Sequence, residues 1–266
     1  MTDRLIKVSL LAYLALVFVF IFTPIVASLV FSFNSDRFPS LPLGSFTLHW
    51  YETVLSRPEI LEAAKTSLIV AVCTAVLSTF IDFCTAYTDY RFNFIGKSAF
   101  LALALLPPTI PLIIMALAML SWLAQIGLSG KVSSIIISHT VLGAPFAMAV
   151  IRLRLNDMDP SLEAASWNLG ASEWRSMWEV VIPFTKPSII AALCLTAAVS
   201  FDEFAVAWFV SGLNKTVPVV ILEILQGNVD PQINAIGTFV FFISMTLIII
   251  AQALLMSQGR KKDASA

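Results

Sequence analysis

The sequence predicts an all-α integral membrane protein with about six transmembrane helices. Of its 266 residues, 58% are hydrophobic, and the mean hydropathy is +0.88. A soluble fold of this size cannot hide that much apolar surface, whereas lipid accepts it without cost. Only 12% of residues are charged, about half the usual share of a soluble domain. The apolar residues gather in six stretches, 9–31, 66–88, 98–123, 132–150, 187–210 and 235–256, and a helix needs about 20 residues to cross the hydrocarbon core. Open strands are excluded in lipid because their edge N–H and C=O groups find no partner.

The whole chain, 1–266, reads as one transmembrane domain. The first stretch follows Arg4 and Lys7 and imitates a signal peptide. It is longer than a usual signal core and no small-residue cleavage site follows it, so it reads as an uncleaved span. Residues 32–65 begin with Asn, Asp, Pro, Gly and Ser and turn more helical from Trp50 to Lys65. After the second span, 89–97 form a short polar turn. The third span contains Pro107, Pro108 and Pro111, which kink a helix and free backbone carbonyls. A bend lining a pathway and a packing kink are both open for it. A shorter turn with Gly127 and Gly130 precedes the fourth span, and 151–186 is the longest charged segment. Residues 211–234 surround a short apolar piece, Val219 to Leu225, with Gly212, Pro218, Gly227 and Pro231.

Lys and Arg set the orientation. With the N-terminus in the cytoplasm, that side receives Arg4, Lys7, Arg91, Lys97, Arg152, Arg154, Arg175, Lys186, Arg260, Lys261 and Lys262. The other side receives Arg37, Arg57, Lys65, Lys131 and Lys215. The split of 11 to 5 predicts both termini and segment 151–186 in the cytoplasm. Net charge is −1, which points away from nucleic acid. Cys73, Cys84 and Cys194 lie in apolar stretches without paired spacing and read as small buried hydrophobes. His49 and His139 are far apart and form no metal-ligand pattern.

Segment 151–186 predicts two short helices and a sharp turn. Asp159 can cap a helix with Pro160 at its first position. Gly170 suits a left-handed stop. Ser172 can cap a second helix, whose N-terminus Glu173 favours. Trp174, Met177, Trp178 and Val181 recur at helical spacing as one face, and Pro183 ends the helix. A protruding knob and a loop lying on the headgroups are both compatible with this composition.

The segment resembles the loop of bacterial ABC importer permeases, whose pattern is Glu-Ala-Ala, three residues, Gly, nine residues, Ile-x-Leu-Pro. Here Gly170 is followed by nine residues and then Val180-Val181-Ile182-Pro183. Glu163-Ala164-Ala165 stands four residues before Gly170, so the glutamate is displaced by one position. Asn34 through Tyr51 and Ser200 through Ile236 are similar to the second permease of spermidine/putrescine importers. Ser200-Phe201-Asp202-Glu203-Phe204 and Gly227-Asn228-Val229-Asp230-Pro231-Gln232-Ile233-Asn234-Ala235 carry that likeness. The resemblance implies a type I (MetI-like) permease fold in a bacterial inner membrane. It implies a coupling helix with Glu163, Ala164, Ala165, Gly170, Ile182 and Pro183 docking on an ATP-binding subunit present in two copies. That subunit would bind ATP and Mg; no cofactor is implied in this chain. A second, different permease and a periplasmic solute-binding protein complete the implied assembly.

Asp82, Asp202 and Glu203 fall within predicted spans, where a charge costs about 2.5–3.5 kcal/mol on insertion scales. At 1.5 Å per residue Asp202 lies about 22 Å from the cytoplasmic face, in the outer part of the core. Asp82 lies near the cytoplasmic side and should not meet it. Adjacent carboxylates on a helix point roughly 100° apart, so one can face a cavity while the other packs on a neighbour. An outer anionic site with Phe201, Phe204 and Trp208 nearby suits an ammonium group. Asp202, Glu203, Phe201 and Trp208 are therefore the candidate substrate path; structural bonding to neighbouring helices is the other reading of the carboxylates. Asp82 suits a helix-packing hydrogen bond, with a place in the transport path as its other reading.

The sequence contains no phosphate-binding Gly-x-x-x-x-Gly-Lys-Ser/Thr loop, and no Ser/His/Asp, His-Glu-x-x-His or paired-cysteine set. The expectation is a non-catalytic permease subunit for a polyamine or related cationic amine. Relatives importing opines, phosphonates or ferric ions leave the solute open. An ion-coupled secondary transporter is the alternative, disfavoured by the docking loop and the lack of an inverted repeat.

Overall fold

The structure is a computed structural model that describes residues 2–36, 42–227 and 231–263. Arg37, Asn228-Val229-Asp230 and the side chains of Arg260, Lys261 and Lys262, on which expectations above draw, lie outside the described residues. The described chain is helical, apart from one isolated bridge between Asn34 and Phe46. In order the helices are α1 (Thr2–Phe31), α2 (His49–Ser56), α3 (Pro58–Arg91), α4 (Lys97–Ala104), α5 (Leu112–Gln125), α6 (Val132–Asn156), α7 (Ser161–Asn168), α8 (Glu173–Ser176), α9 (Ile182–Asp202), α10 (Ala205–Val210), α11 (Val217–Gly227) and α12 (Gln232–Asp263). Among the described residues five helical stretches are long and apolar enough to cross a membrane: Arg4–Phe31, Pro58–Arg91, Val132–Asn156, Glu173–Asp202 and Gln232–Ala253.

Two predicted spans are not single helices. The third is interrupted between α4 and α5, where Pro107–Thr109 form one 3-10 turn and Ile110 is extended. Three prolines in five residues remove three N–H donors, so the ladder stops rather than bends. The fifth is interrupted at Glu203, which is extended between α9 and α10. Segment 151–186 holds the two expected short helices, α7 and α8, between the end of α6 at Asn156 and the start of α9 at Ile182.

Pro183 does not end a helix. Met177–Val181 form a π-turn, and the chain runs helically through it into α9. The wider turn takes in a residue that cannot donate and whose ring would clash with the carbonyl four residues back. The same turn breaks the predicted face. Val181 is buried and Met177 partly so, while Trp174 and Trp178 stand exposed.

The chain forms two compact units. One comprises Met1–Leu61 with Ile221–Phe241. In it Phe33 stacks on Phe46 at 5.2 Å, and the Tyr51 ring meets Phe239 edge-on at 5.5 Å. Trp50 Nε1 donates to the Asn34 carbonyl at 2.7 Å, and Tyr51 OH pairs with Ser32 Oγ.

The other unit comprises Glu62–Val220 with Phe242–Ala266 and holds the candidate site. Val70, Leu123, Ile135, Val206, Val210 and Val219 form one core cluster. Ala86, Met148, Ile151, Leu155, Val181 and Ala192 form another. Burial follows polarity. The most apolar window of α1 has no buried residue, whereas 61% of that of α6 is buried. Helix α6 carries Ser134, Ser138, His139 and Thr140, all buried. Polar groups in a span belong inside, because lipid offers them no partner.

Candidate functional site

At one end of the larger unit, α7 turns its polar side inward. Glu163 is 3% exposed and accepts a hydrogen bond from Tyr87 OH at 3.1 Å. The Ser166 and Ser176 hydroxyls pair at 2.7 Å. The Arg91 guanidinium lies 4.5 Å over the Trp167 ring. Beneath them Asp89 bonds Arg152 and Lys97, tying α3 to α6 and to the start of α4. The outward side exposes Leu162, Ala164, Ala165 and Leu169, Leu169 to 89%, together with the polar Ser161 and Asn168. A short helix with a buried carboxylate and exposed leucines is inverted relative to a soluble surface helix.

The caps of this knob match the expectation. Asp159 Oδ1 accepts from Ser161 N at 2.9 Å, which holds its carboxyl below the usual range. Gly170 has φ +87° and Ser172 Oγ accepts from Arg175 N. Ile182 is half-buried and Pro183 exposed at the start of α9.

Near the other end lies the break between α9 and α10. Glu203 is buried; its Oε1 accepts from Val206 N at 2.9 Å and its Oε2 from Ala207 N at 3.1 Å. It thus caps the new helix, satisfying two of the N–H groups that a helix start leaves open. His139 reaches in from α6. Its Nδ1 is 2.8 Å from Ser200 Oγ, and its Nε2 is 3.1 Å from Glu203 Oε2 without hydrogen-bond alignment. Asp202, the last residue of α9, is exposed and has no polar partner among the described residues. Phe204 is exposed beside it.

The structure therefore separates the predicted path residues. Asp202 faces out, Glu203 is committed to the backbone, Phe201 is buried, and Trp208 is partly buried against the core. The break also changes the expected geometry, since the two carboxylates do not share one continuous helix. Asp82 is buried with Oδ2 unpartnered, so the expected packing hydrogen bond is missing among the described residues. The sequence marks His139 only as outside any metal-ligand pattern, Ser200 only as part of the family likeness and Arg91 only for orientation, and Tyr87 not at all. A histidine inside an apolar span was the available signal.

Ser200, His139 and Glu203 form in space the hydroxyl–imidazole–carboxylate set that the sequence does not display as a motif. All three are buried, and the carboxylate accepts two backbone N–H bonds. The arrangement holds backbone and does not expose a nucleophile.

Residues 83–261, which contain both the knob and the break, match the model of the family described as the inner membrane component of binding-protein-dependent transport systems. The chain belongs to this family. The permease is 29% identical over 244 residues to the spermidine/putrescine transport system permease protein PotC of Haemophilus influenzae, covering 91% of this chain and 95% of that one. It is 27% identical over 219 residues to the molybdenum transport system permease protein ModB of the same organism, covering 76% and 96%. Its fold matches a bacterial ABC transporter involved in the import of the polysaccharide alginate, with a TM-score of 0.71 at 18% identity over 97% of both chains. The permease is an inner-membrane protein of the ABC importer class, with the expected type I architecture, and it resembles the permeases of polyamine systems.

Proposed function

We propose that this permease forms half of the path by which an ATP-driven importer takes up a cationic amine of the polyamine class. The observation that carries the solute is Asp202, an exposed carboxylate without a polar partner at the C-terminal end of a broken helix. The last carbonyls of α9 lie beyond its hydrogen-bond ladder, and the helix dipole adds negative potential there. Carboxylate and carbonyls accept and never donate, so the site suits ammonium groups and opposes anions. The likeness to PotC supports the same cargo, whereas ModB shows that the family also moves other solutes. An opine, phosphonate or ferric ion is the second reading within the same class.

The apolar face of α7 docks on an ATP-binding subunit, two copies of which bind ATP and Mg and hydrolyse the nucleotide. That end carries Arg91, Lys97, Arg152, Arg154, Arg175 and Lys186 and faces the cytoplasm by the charge rule. A second, different permease and a periplasmic binding protein complete the importer.

The test is uptake of labelled spermidine and putrescine by the whole complex carrying Asp202→Asn. Losing a charge-assisted contact of about 1.5–3 kcal/mol lowers uptake roughly 10- to 100-fold while assembly is kept. Unchanged uptake of both amines rejects the solute reading.

A further inference from the structure

The break in the fifth span has no backbone cause. Between Ser188 and Ser211 the sequence contains neither proline nor glycine, and no described residue other than glycine has a positive φ. A continuous helix through 202–205 would satisfy its own N–H groups, and in a span that is the default. Side chains must therefore hold the interruption, and three buried ones meet there. Glu203 supplies the acceptors for Val206 and Ala207. Ser200 lies in the last turn of α9. His139, 1% exposed, touches both through its two ring nitrogens. Its Nδ1 pairs with the Ser200 hydroxyl, and its Nε2 faces the Glu203 carboxylate at 3.1 Å.

The consequence lies on the opposite face. With the chain extended at Glu203, Phe201 and Glu203 turn inward while Asp202 and Phe204 are exposed. We infer that His139 is a positioning residue for the solute path: by holding Ser200 and Glu203 it keeps α9 and α10 interrupted and so presents Asp202. Its effect on transport rests on the reading of Asp202 above; its effect on geometry does not.

The experiment uses the assembled importer in proteoliposomes, with Cys73, Cys84 and Cys194 replaced by Ser and Asp202→Cys introduced. The readout is the rate of modification at position 202 by a water-soluble methanethiosulfonate. His139→Ala slows it about fivefold or more, the size expected when a buried polar contact of about 1–3 kcal/mol is lost, and His139→Gln, which keeps a polar side chain toward Glu203, recovers most of the rate. Equal rates in the parent and in His139→Ala overturn the inference. Should His139→Ala fail to assemble, His139→Asn and Glu203→Gln make the same comparison, with slower modification expected and an unchanged rate again overturning it.

A second arm measures spermidine uptake on the native cysteine background. His139→Ala adds no further loss to Asp202→Asn if it acts through Asp202, and fully additive losses contradict that. Uptake indifferent to Asp202→Asn removes the solute reading alone, because the modification rates still decide the clamp.

Discussion

The two interrupted spans differ in what interrupts them. Between α4 and α5 the cause is covalent: Pro107, Pro108 and Pro111 cannot donate, Thr109 Oγ1 bonds the Leu106 carbonyl, and Leu105, Leu106 and Leu112 are exposed around the turn. Between α9 and α10 the cause is an interaction, made by the buried side chains of Glu203, His139 and Ser200. A proline break is present in every state of the chain. A break held by side chains is conditional on them, and it sits beside the exposed, unpartnered Asp202. In this permease interior polar groups hold backbone geometry, while Asp202 stands exposed outside that network.

The sharpest way to break this comparison is to remove each cause in turn. Glu203→Ala leaves the Val206 and Ala207 N–H groups without their acceptors and costs on the order of 2–4 kcal/mol, seen as a clear fall in the melting temperature of the purified complex. Pro108→Ala leaves Pro107 and Pro111 in place and costs less than about 1 kcal/mol. Equal losses for the two variants would erase the distinction.

Gly170→Ala comes next. At φ +87° a Cβ costs about 1–2 kcal/mol, although no atom lies within 4 Å of where it would stand. The turn between α7 and α8 shifts, and ATP hydrolysis becomes less responsive to loaded binding protein while the melting temperature moves little. A response identical to the parent's would detach the knob from coupling. The smallest effect belongs to Asp82→Asn. Unlike Glu203, Asp82 has a buried oxygen without a partner, so neutralising it is neutral or mildly stabilising, within about 1 kcal/mol. A large loss of stability would show that the carboxylate of Asp82 is bonded in the assembled importer.

What was legible in the sequence follows the same division. Long apolar runs announce α1, α3, α6, α9 and α12, because the length needed to cross lipid leaves little choice. The knob was legible because its signals are local. Asp159, Gly170 and Ser172 act on residues within three positions of themselves. The prolines of the third span were legible as a disturbance, but their number turns a bend into a break. Pro183 misled, because a wider π-turn, Met177–Val181, takes it in and the helix runs on into α9, with Val181 buried in the core. Glu203 and His139 stand 64 positions apart in the chain, and only the fold brings them together. Glu163 meets Tyr87 of α3 in the same way, across 76 positions of sequence.

The most direct test of the account is purification through a tag on this permease, with ATP hydrolysis measured with and without polyamine-loaded binding protein. The account predicts a bound ATP-binding subunit in two copies, hydrolysis that rises with the loaded binding protein, and loss of that subunit when the exposed Leu169 of the docking face is changed to Glu. A permease that purifies without any ATPase, under conditions that preserve related importers, would contradict it.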